Sequence, residues 1–298
     1  MASTGNAGPV VKFIGIGMGK AGTSWLHDML MQHPQIFLPP QKEVQFFNSE
    51  LPENMKIKNP NYTKGLGWYE SFFSNAGKYK ICGEFSPVYW ISENAAKDIY
   101  EYNPNALLIS TLRKPEDFLI SNYLWRVRRG TIANIPFDEA LKKYGDILWR
   151  PVQYYRNMQR YLEYFGEEQI EVVLFDQLKA EPESTLARVA NRIGVEQFEF
   201  SDVNRASNVG AAAAHPNLVR SFRVVRTALK KAGLDPVIRA TQDVRAIKIL
   251  KRTLESTKSL ETKPTISNDL RNQIADVTRP ELEKLGAVLK IDFSHWWH

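Results

Sequence analysis

The segment Phe13-Ile-Gly-Ile-Gly-Met-Gly-Lys-Ala-Gly-Thr-Ser-Trp-Leu26 constrains this 298-residue chain more than any other. An apolar, β-prone run from Val10 to Ile16 feeds a turn that holds Gly17, Gly19 and Gly22. Lys20 sits inside the turn, Thr23 and Ser24 close it, and Trp25 to Leu30 read as the opening of a helix. A strand, a glycine turn and a helix N-terminus together present backbone N–H groups to an anion, here with a lysine at the same spot. Such a segment belongs in an α/β sheet and is built to hold a phosphate or a sulfate.

Three ordinary explanations fit the segment less well. Gly17-x-Gly19-x-x-Gly22 satisfies the dinucleotide fingerprint in form, and Glu43 lies near the offset of its ribose acid. Leu38-Pro39-Pro40-Gln41-Lys42 spoils that match, because two prolines cannot sit in a central parallel strand. The nucleotide-triphosphatase loop needs its lysine directly after the last glycine, whereas Lys20 precedes Gly22 by two. An idle structural turn would use the glycines but has no need of Lys20 or of the Thr23-Ser24 pair.

A second stretch answers the first. Ala106-Leu-Leu-Ile-Ser-Thr-Leu-Arg113 is an apolar strand ending in arginine. Pro115 then starts a helix that carries Ser121, eight residues after Arg113. Arg113 offers a planar fork of donors to a phosphate, and Ser121 adds a neutral hydroxyl. Lysine, a small residue and Gly-Thr-Ser at a strand-to-helix turn, followed by strand-Arg-x-Pro and a helix serine, resembles the sulfotransferases that use 3′-phosphoadenosine 5′-phosphosulfate (PAPS). The resemblance assigns the 5′-phosphosulfate to Gly19, Lys20, Ala21, Gly22, Thr23, Ser24 and Trp25, and the 3′-phosphate to Arg113 and Ser121.

Between these stretches, Gln41-Lys-Glu43-Val-Gln45-Phe46-Phe47-Asn48 resembles the Lys-Glu-x-His-Phe-Phe-Asp segment of the glycosaminoglycan (heparan sulfate) branch. There the glutamate is the general base, a role the resemblance gives to Glu43. Gly65-Leu-Gly-Trp68-Tyr69, Gly83-Glu84-Phe-Ser-Pro87-Val-Tyr89 and the run Leu282–Gly286 through Asp292–Trp296 are similar to further segments of the family. The likeness is strong over roughly 12–130 and moderate in the tail. It implies an α/β fold with a central parallel sheet flanked by helices, a P-loop-like strand–turn–helix and a helical C-terminal part.

Candidate strands are Val10–Gly15, Tyr79–Cys82, Ala106–Leu112 and Ile170–Phe175. Candidate helices are Thr23–Gln32, Ser92–Tyr102, Glu116–Arg129, Phe137–Tyr144, Pro151–Phe165 and Pro182–Ile193, the last stopped by Gly194. A single domain over 10–298 is expected after a flexible 1–9, with a helical region from about 216. Thr131–Pro136 reads as a surface loop, and Arg126, Arg128 and Arg129 as cations at a helix C-terminus. Residues 204–216 occupy the place of a loop that covers the nucleotide in relatives, without their Lys-Gly pair. The segment 217–263, with Arg220, Arg223, Arg226, Lys230 and Lys231, reads as a basic solvated face.

A net charge of +6 and a pI near 9.2 favour anionic ligands such as PAPS and its product, 3′-phosphoadenosine 5′-phosphate (PAP). No aromatic-basic recognition module or zinc spacing points to nucleic acid, and the five histidines have no metal-ligand spacing. No stretch is long and apolar enough to span a membrane, Met1–Pro9 lacks an apolar signal core, and Cys82 is the single cysteine, so a cytoplasmic enzyme is expected. In the implied in-line transfer, Lys20 stabilises the leaving phosphate and Glu43 deprotonates a hydroxyl or an amine. Gln45, Glu84 and Tyr89, with Trp68, are candidate acceptor-side residues. Gln45, Asn48 and Phe85 stand where the branch has His, Asp and commonly Lys; the changes at Gln45 and Phe85 argue for a less charged acceptor: a carbohydrate, a lipid-like alcohol or a small metabolite. A nucleotide kinase and a non-catalytic nucleotide-binding module are the competing classes. Oligomeric state is not written in the chain.

Overall fold

The computed structural model describes residues 10–51, 54–204 and 264–297. Its strands are β1 (Val11–Gly17), β2 (Ile36–Phe37), β3 (Glu50–Leu51), β4 (Asn54–Lys58), β5 (Ile81–Phe85), β6 (Leu107–Leu112) and β7 (Ile170–Leu174). The described helices are α1 (Thr23–Leu30), α2 (Leu66–Glu70), α3 (Ala95–Tyr102), α4 (Pro115–Arg128), α5 (Phe137–Lys143), α6 (Gly145–Leu148), α7 (Tyr154–Leu162), α8 (Phe175–Ala180), α9 (Pro182–Ile193) and α10 (Asn268–Leu289). None of them is long and apolar enough to cross a membrane.

Five strands form one parallel sheet in the order β2-β5-β1-β6-β7, as the alternation of strands and helices predicts. β1 is central because its run is apolar on both faces, with Phe13, Ile14 and Ile16 all buried. Phe13 pairs with Gly83 on one side and Leu107 on the other, and Gly15 with Phe85 and Ile109. Trp25, Leu26, Met29 and Leu30 of α1 and Leu186, Val189, Ala190 and Ile193 of α9 join Phe13, Phe85, Ile109 and Val173 in one core. Each such side chain contributes roughly 1.5–3 kcal/mol by leaving water.

Chain contacts divide the protein into two compact units. The first comprises 10–115, 151–204 and 274–297, and holds the whole parallel sheet. The second comprises 116–150 and 264–273. Within it, Tyr123 packs on Phe137 and donates to the Ile135 carbonyl at 2.7 Å, while Arg271 pairs with Glu116 at 3.0 Å. Arg126 is buried there and donates from Nε to Asn122 Oδ1 at 3.2 Å, so it is a packed residue and not a surface cation.

Boundaries moved where pairing overrode local preference. β5 runs to Phe85 instead of ending at Cys82, because Gly83, Glu84 and Phe85 pair with Phe13, Ile14 and Gly15 of β1 despite two poor strand formers. The Pro151–Phe165 helix splits into a 3₁₀ turn at Arg150–Val152 and α7. Gly194 ends α9 with φ +88°, as expected of a left-handed cap. β2 and β3 carry two residues each, too few to show a period. The expected mobile stretch 1–9, the basic segment 217–263 and the covering loop 204–216 beyond Asn204 lie outside the described residues.

Candidate active site

Because β1, β5 and β6 are parallel, their carboxyl ends share one edge of the sheet. Strand addition reverses at β1, and the crevice of an open α/β sheet forms outside the carboxyl ends at such a point. The turn after β1, the segment after β5 and Arg113 after β6 all emerge there.

The turn after β1 is held from three sides. Met18 N donates to the Thr111 carbonyl at 2.7 Å, and Thr111 Oγ1 donates to the Met18 carbonyl at 3.2 Å. Gly17 has φ +129°, and a Cβ there would lie 2.6 Å from the Pro87 carbonyl oxygen, so only glycine fits. Lys20 has φ +65°, a left-handed conformation costing about 1–2 kcal/mol outside glycine. Gly22 follows at φ +93° as the cap of α1. The first turn of α1 carries no acidic residue, leaving its N–H groups and the positive end of its dipole to an anion.

Arg113 is fastened beside this turn. Its Nη1 donates to the Lys20 carbonyl at 3.0 Å, its guanidinium lies 4.5 Å from the Phe175 ring, and Tyr154 donates its hydroxyl to the Arg113 carbonyl at 2.6 Å. The C-terminal tail backs this arrangement: Trp296 packs against Tyr154 and donates to Asp176 Oδ1 at 3.2 Å, and His295 hydrogen-bonds the same carboxylate at 2.7 Å. Ser121 lies in the second unit, so its part in the site is carried by the sequence motif alone.

One functional residue was undervalued in sequence. Lys42 donates to Ser24 Oγ at 2.8 Å and stands 3.7 Å from Glu43 Oε1, tying the segment that bears Glu43 to the anion turn. Burial pushes its pKa down, opposed by the Glu43 and Asp28 carboxylates. Its signal in the sequence is its place directly before Glu43. Glu43 itself is 42% exposed, reachable by an acceptor, and Gln45 Nε2 donates to its Oε2 at 3.1 Å. Both residues adopt positive φ, +66° and +52°. His27, behind Lys42, is buried against Phe85, and burial lowers its pKa.

Glu84 and Tyr89 do not face an acceptor: they are 1% and 0% exposed and hydrogen-bonded within the protein. Glu84 accepts from Ser86 Oγ at 2.7 Å, Tyr89 at 2.8 Å and Tyr69 at 3.3 Å. Phe85 packs on Phe13 and His27 in the core, and Asn48 is buried with its amide donating to the Glu50 carbonyl. The charges absent at these two positions therefore bear on packing and not on acceptor contact, leaving Gln45 as the departure that stands beside Glu43. Trp25 has its ring in the core and donates to the Val203 carbonyl at 3.2 Å, so only its backbone can serve an anion. Trp68 is half-buried beside Phe46, with Lys64 4.1 Å over its ring.

The residues present fit a phosphosulfate: positive-φ turn residues, an acid-free helix start, two lysines and an arginine meet at one strand edge. Residues 13–199 match the family model described as the Sulfotransferase family. The chain is similar to the human heparan sulfate glucosamine 3-O-sulfotransferase 5, 32% identical over 183 residues that cover 57% of this chain and 49% of the relative. It is similar to the human bifunctional heparan sulfate N-deacetylase/N-sulfotransferase 2, 29% identical over 63% of this chain and 22% of that protein. The chain thus spans about half the length of the first of these relatives and under a quarter of the second. Among solved structures, a sulfotransferase from Alicyclobacillus acidocaldarius shares the fold with a TM-score of 0.68 at 22% identity, covering 97% of this chain and 99% of that one.

Proposed function

The chain belongs to the Sulfotransferase family, and from that premise we propose that it moves a sulfuryl group from PAPS to an acceptor hydroxyl or amine, releasing PAP. The observation that carries this reading is the Lys42 ammonium, which joins Ser24 of the anion turn at 2.8 Å to the Glu43 carboxylate at 3.7 Å. A basic carboxylate and an anion cradle are thereby set side by side, as a group transfer from an anion to a nucleophile requires.

Sulfuryl transfer, like phosphoryl transfer, is mostly positioning and electrostatics along one line of attack. Glu43 takes the acceptor's proton as the new S–O or S–N bond forms. The bond from sulfur to the bridging oxygen breaks, and Lys20 with the N–H groups of the α1 start stabilises the charge left on the 5′-phosphate. Lys42 adds a second cation at the same place. Arg113 holds the 3′-phosphate, a role to which the sequence motif adds Ser121. These steps need no metal.

A carbohydrate acceptor is supported by the names of the two relatives, both of which refer to heparan sulfate. Gln45, where the branch carries a histidine, favours a less anionic acceptor than heparan sulfate and keeps a lipid-like alcohol or small metabolite in the screen. Residues 10–298 work in this reading as one sulfotransferase domain, since the matched segment runs through both units. A cytoplasmic location is supported by the lone cysteine.

The test is transfer of labelled sulfate from PAPS to a panel of carbohydrate and lipid alcohols and amines, with calorimetry of PAP in metal-free buffer. Transfer and metal-independent PAP binding are expected, and Glu43→Gln should lower kcat by about 10²–10⁴ while PAP affinity holds. PAP binding without transfer to any acceptor would leave a nucleotide-binding module. Binding of ATP with Mg²⁺ in place of PAP would leave a kinase.

A further inference from the structure

The Glu43 segment departs from relaxed backbone twice within three residues, at Glu43 (φ +66°) and Gln45 (φ +52°), so something must hold it. The Asn59 and Asn61 amides hold the Gln45 and Val44 carbonyls, at 2.6 and 3.0 Å, and the segment's N–H groups are held by hydroxyls that converge on one buried carboxylate. Gln45 N donates to Ser86 Oγ at 2.9 Å; Phe46 N and Phe47 N donate to the Tyr89 hydroxyl at 2.9 and 3.3 Å. Ser86 and Tyr89 in turn donate hydrogen bonds to Glu84, at 2.7 Å to Oε2 and 2.8 Å to Oε1. Tyr69 of α2 adds a third hydroxyl at 3.3 Å, while its ring stacks on Phe46 with centroids 4.9 Å apart.

We propose that Glu84 is the positioning residue of this site: through Ser86 and Tyr89 its carboxylate fixes the backbone of Gln45 to Phe47, and thereby the conformation from which Glu43 works. The proposal rests on the sulfuryl-transfer reading above for what Glu43 does, but not for how its segment is held.

The polarity of these hydrogen bonds makes the relay directional. The Ser86 and Tyr89 hydroxyl oxygens each accept from backbone N–H groups, so their protons point away from the segment and need an acceptor. A carboxylate is acceptor-only and satisfies all three hydroxyls at once. A neutral side chain of the same shape carries protons of its own, and at least one hydroxyl then loses its acceptor or turns its proton toward the segment. The charge on Glu84, not its volume, therefore sets the segment.

The titratable groups that face Glu84 are Tyr69 from α2, Tyr89 from the turn after β5, and Glu43 from the segment itself. Burial holds the Glu84 carboxyl at about 7, against the three hydroxyls that favour its charged form. The segment is thus expected to tighten as pH rises through neutrality, with activity following.

The experiment compares wild type, Glu84→Gln and Tyr89→Phe by amide hydrogen exchange of residues 45–47 and by the pH profile of kcat. Glu84→Gln is expected to speed exchange at these amides by about tenfold, with β1 and β6 unchanged. It should lower kcat by about 100-fold with little change in KM for PAPS, and flatten the limb of the profile near pH 7. Tyr89→Phe removes one oxygen from the relay and should speed exchange at Phe46 and Phe47 more than at Gln45. If Glu84→Gln does not fold, Tyr89→Phe decides alone. Unchanged exchange at 45–47 in the folded variants, or an unchanged pH profile, overturns the proposal. A wild-type protein that transfers sulfate to nothing would overturn the proposed function instead, and the exchange measurement would still decide this one.

Discussion

At the scale of single residues, the site is a matter of which charges share one strand edge. Lys20 is in the turn by sequence, and its left-handed backbone is fastened by Arg113 Nη1, which donates to the Lys20 carbonyl. Lys20→Ala should cut kcat by about 10²–10³, the usual cost of removing one donor to a developing anion, as read from initial rates. The prediction is lost if turnover stays within a few-fold. Arg113 has two tasks that one substitution separates. If it grips the 3′-phosphate, Arg113→Ala weakens PAP by about 10–100-fold and leaves adenosine 5′-phosphate little changed, by calorimetry. Equal weakening of both would make it only a fastener of the Lys20 carbonyl. Both residues were legible in sequence because each lies in a short, ordered motif. Lys42 was not, since its value depends on where a side chain from a proline-rich segment arrives.

Among the elements, β1, the glycine turn and α1 act as one piece. Gly22 sits at φ +93°, and a Cβ there would lie 3.1 Å from the Phe175 ring, the same ring that supports Arg113. Gly22→Ala should therefore lower stability by about 1–2 kcal/mol and weaken PAP binding along with it. Chemical denaturation and calorimetry on one preparation check both, and a stable variant with undiminished affinity would contradict the prediction. The strand–turn–helix was readable because apolar run, glycines and helix start follow each other in the chain. The extension of β5 over Gly83 to Phe85 was not, for nothing local favours a strand there and its pairing with β1 spans some seventy residues.

Across the whole molecule, Glu84 links stability to pH. Its carboxyl, ordinarily near 4.5, is held at about 7 by burial, so between these values the folded protein binds more protons than the unfolded chain. Its contribution is fully present below about pH 4.5 and is lost as pH rises through about 7. The unfolding free energy of wild type relative to Glu84→Gln should thus fall by about 2–3 kcal/mol between pH 5 and 8, by denaturant titration. A difference independent of pH would mean that the carboxyl is not protonated in the fold. In the proposed relay the same ionisation that costs stability supplies the acceptor for the hydroxyls that hold the Glu43 segment.

By itself the sequence determined the parallel α/β class, the anion turn with Lys20, the arginine strand and the candidate base. These rest on local periodicity and on motifs of a few residues, where neighbours in the chain are neighbours in space. Only the tertiary structure decided that Glu84 and Tyr89 lie behind the site, that Phe85 and Asn48 face the interior, and that Lys42 bridges Ser24 and Glu43. Those facts depend on which face of β5 meets the core and on a segment forty residues away hanging from its hydroxyls. Burial and long-range hydrogen bonds are properties of the packed sheet, and no spacing along the chain encodes them.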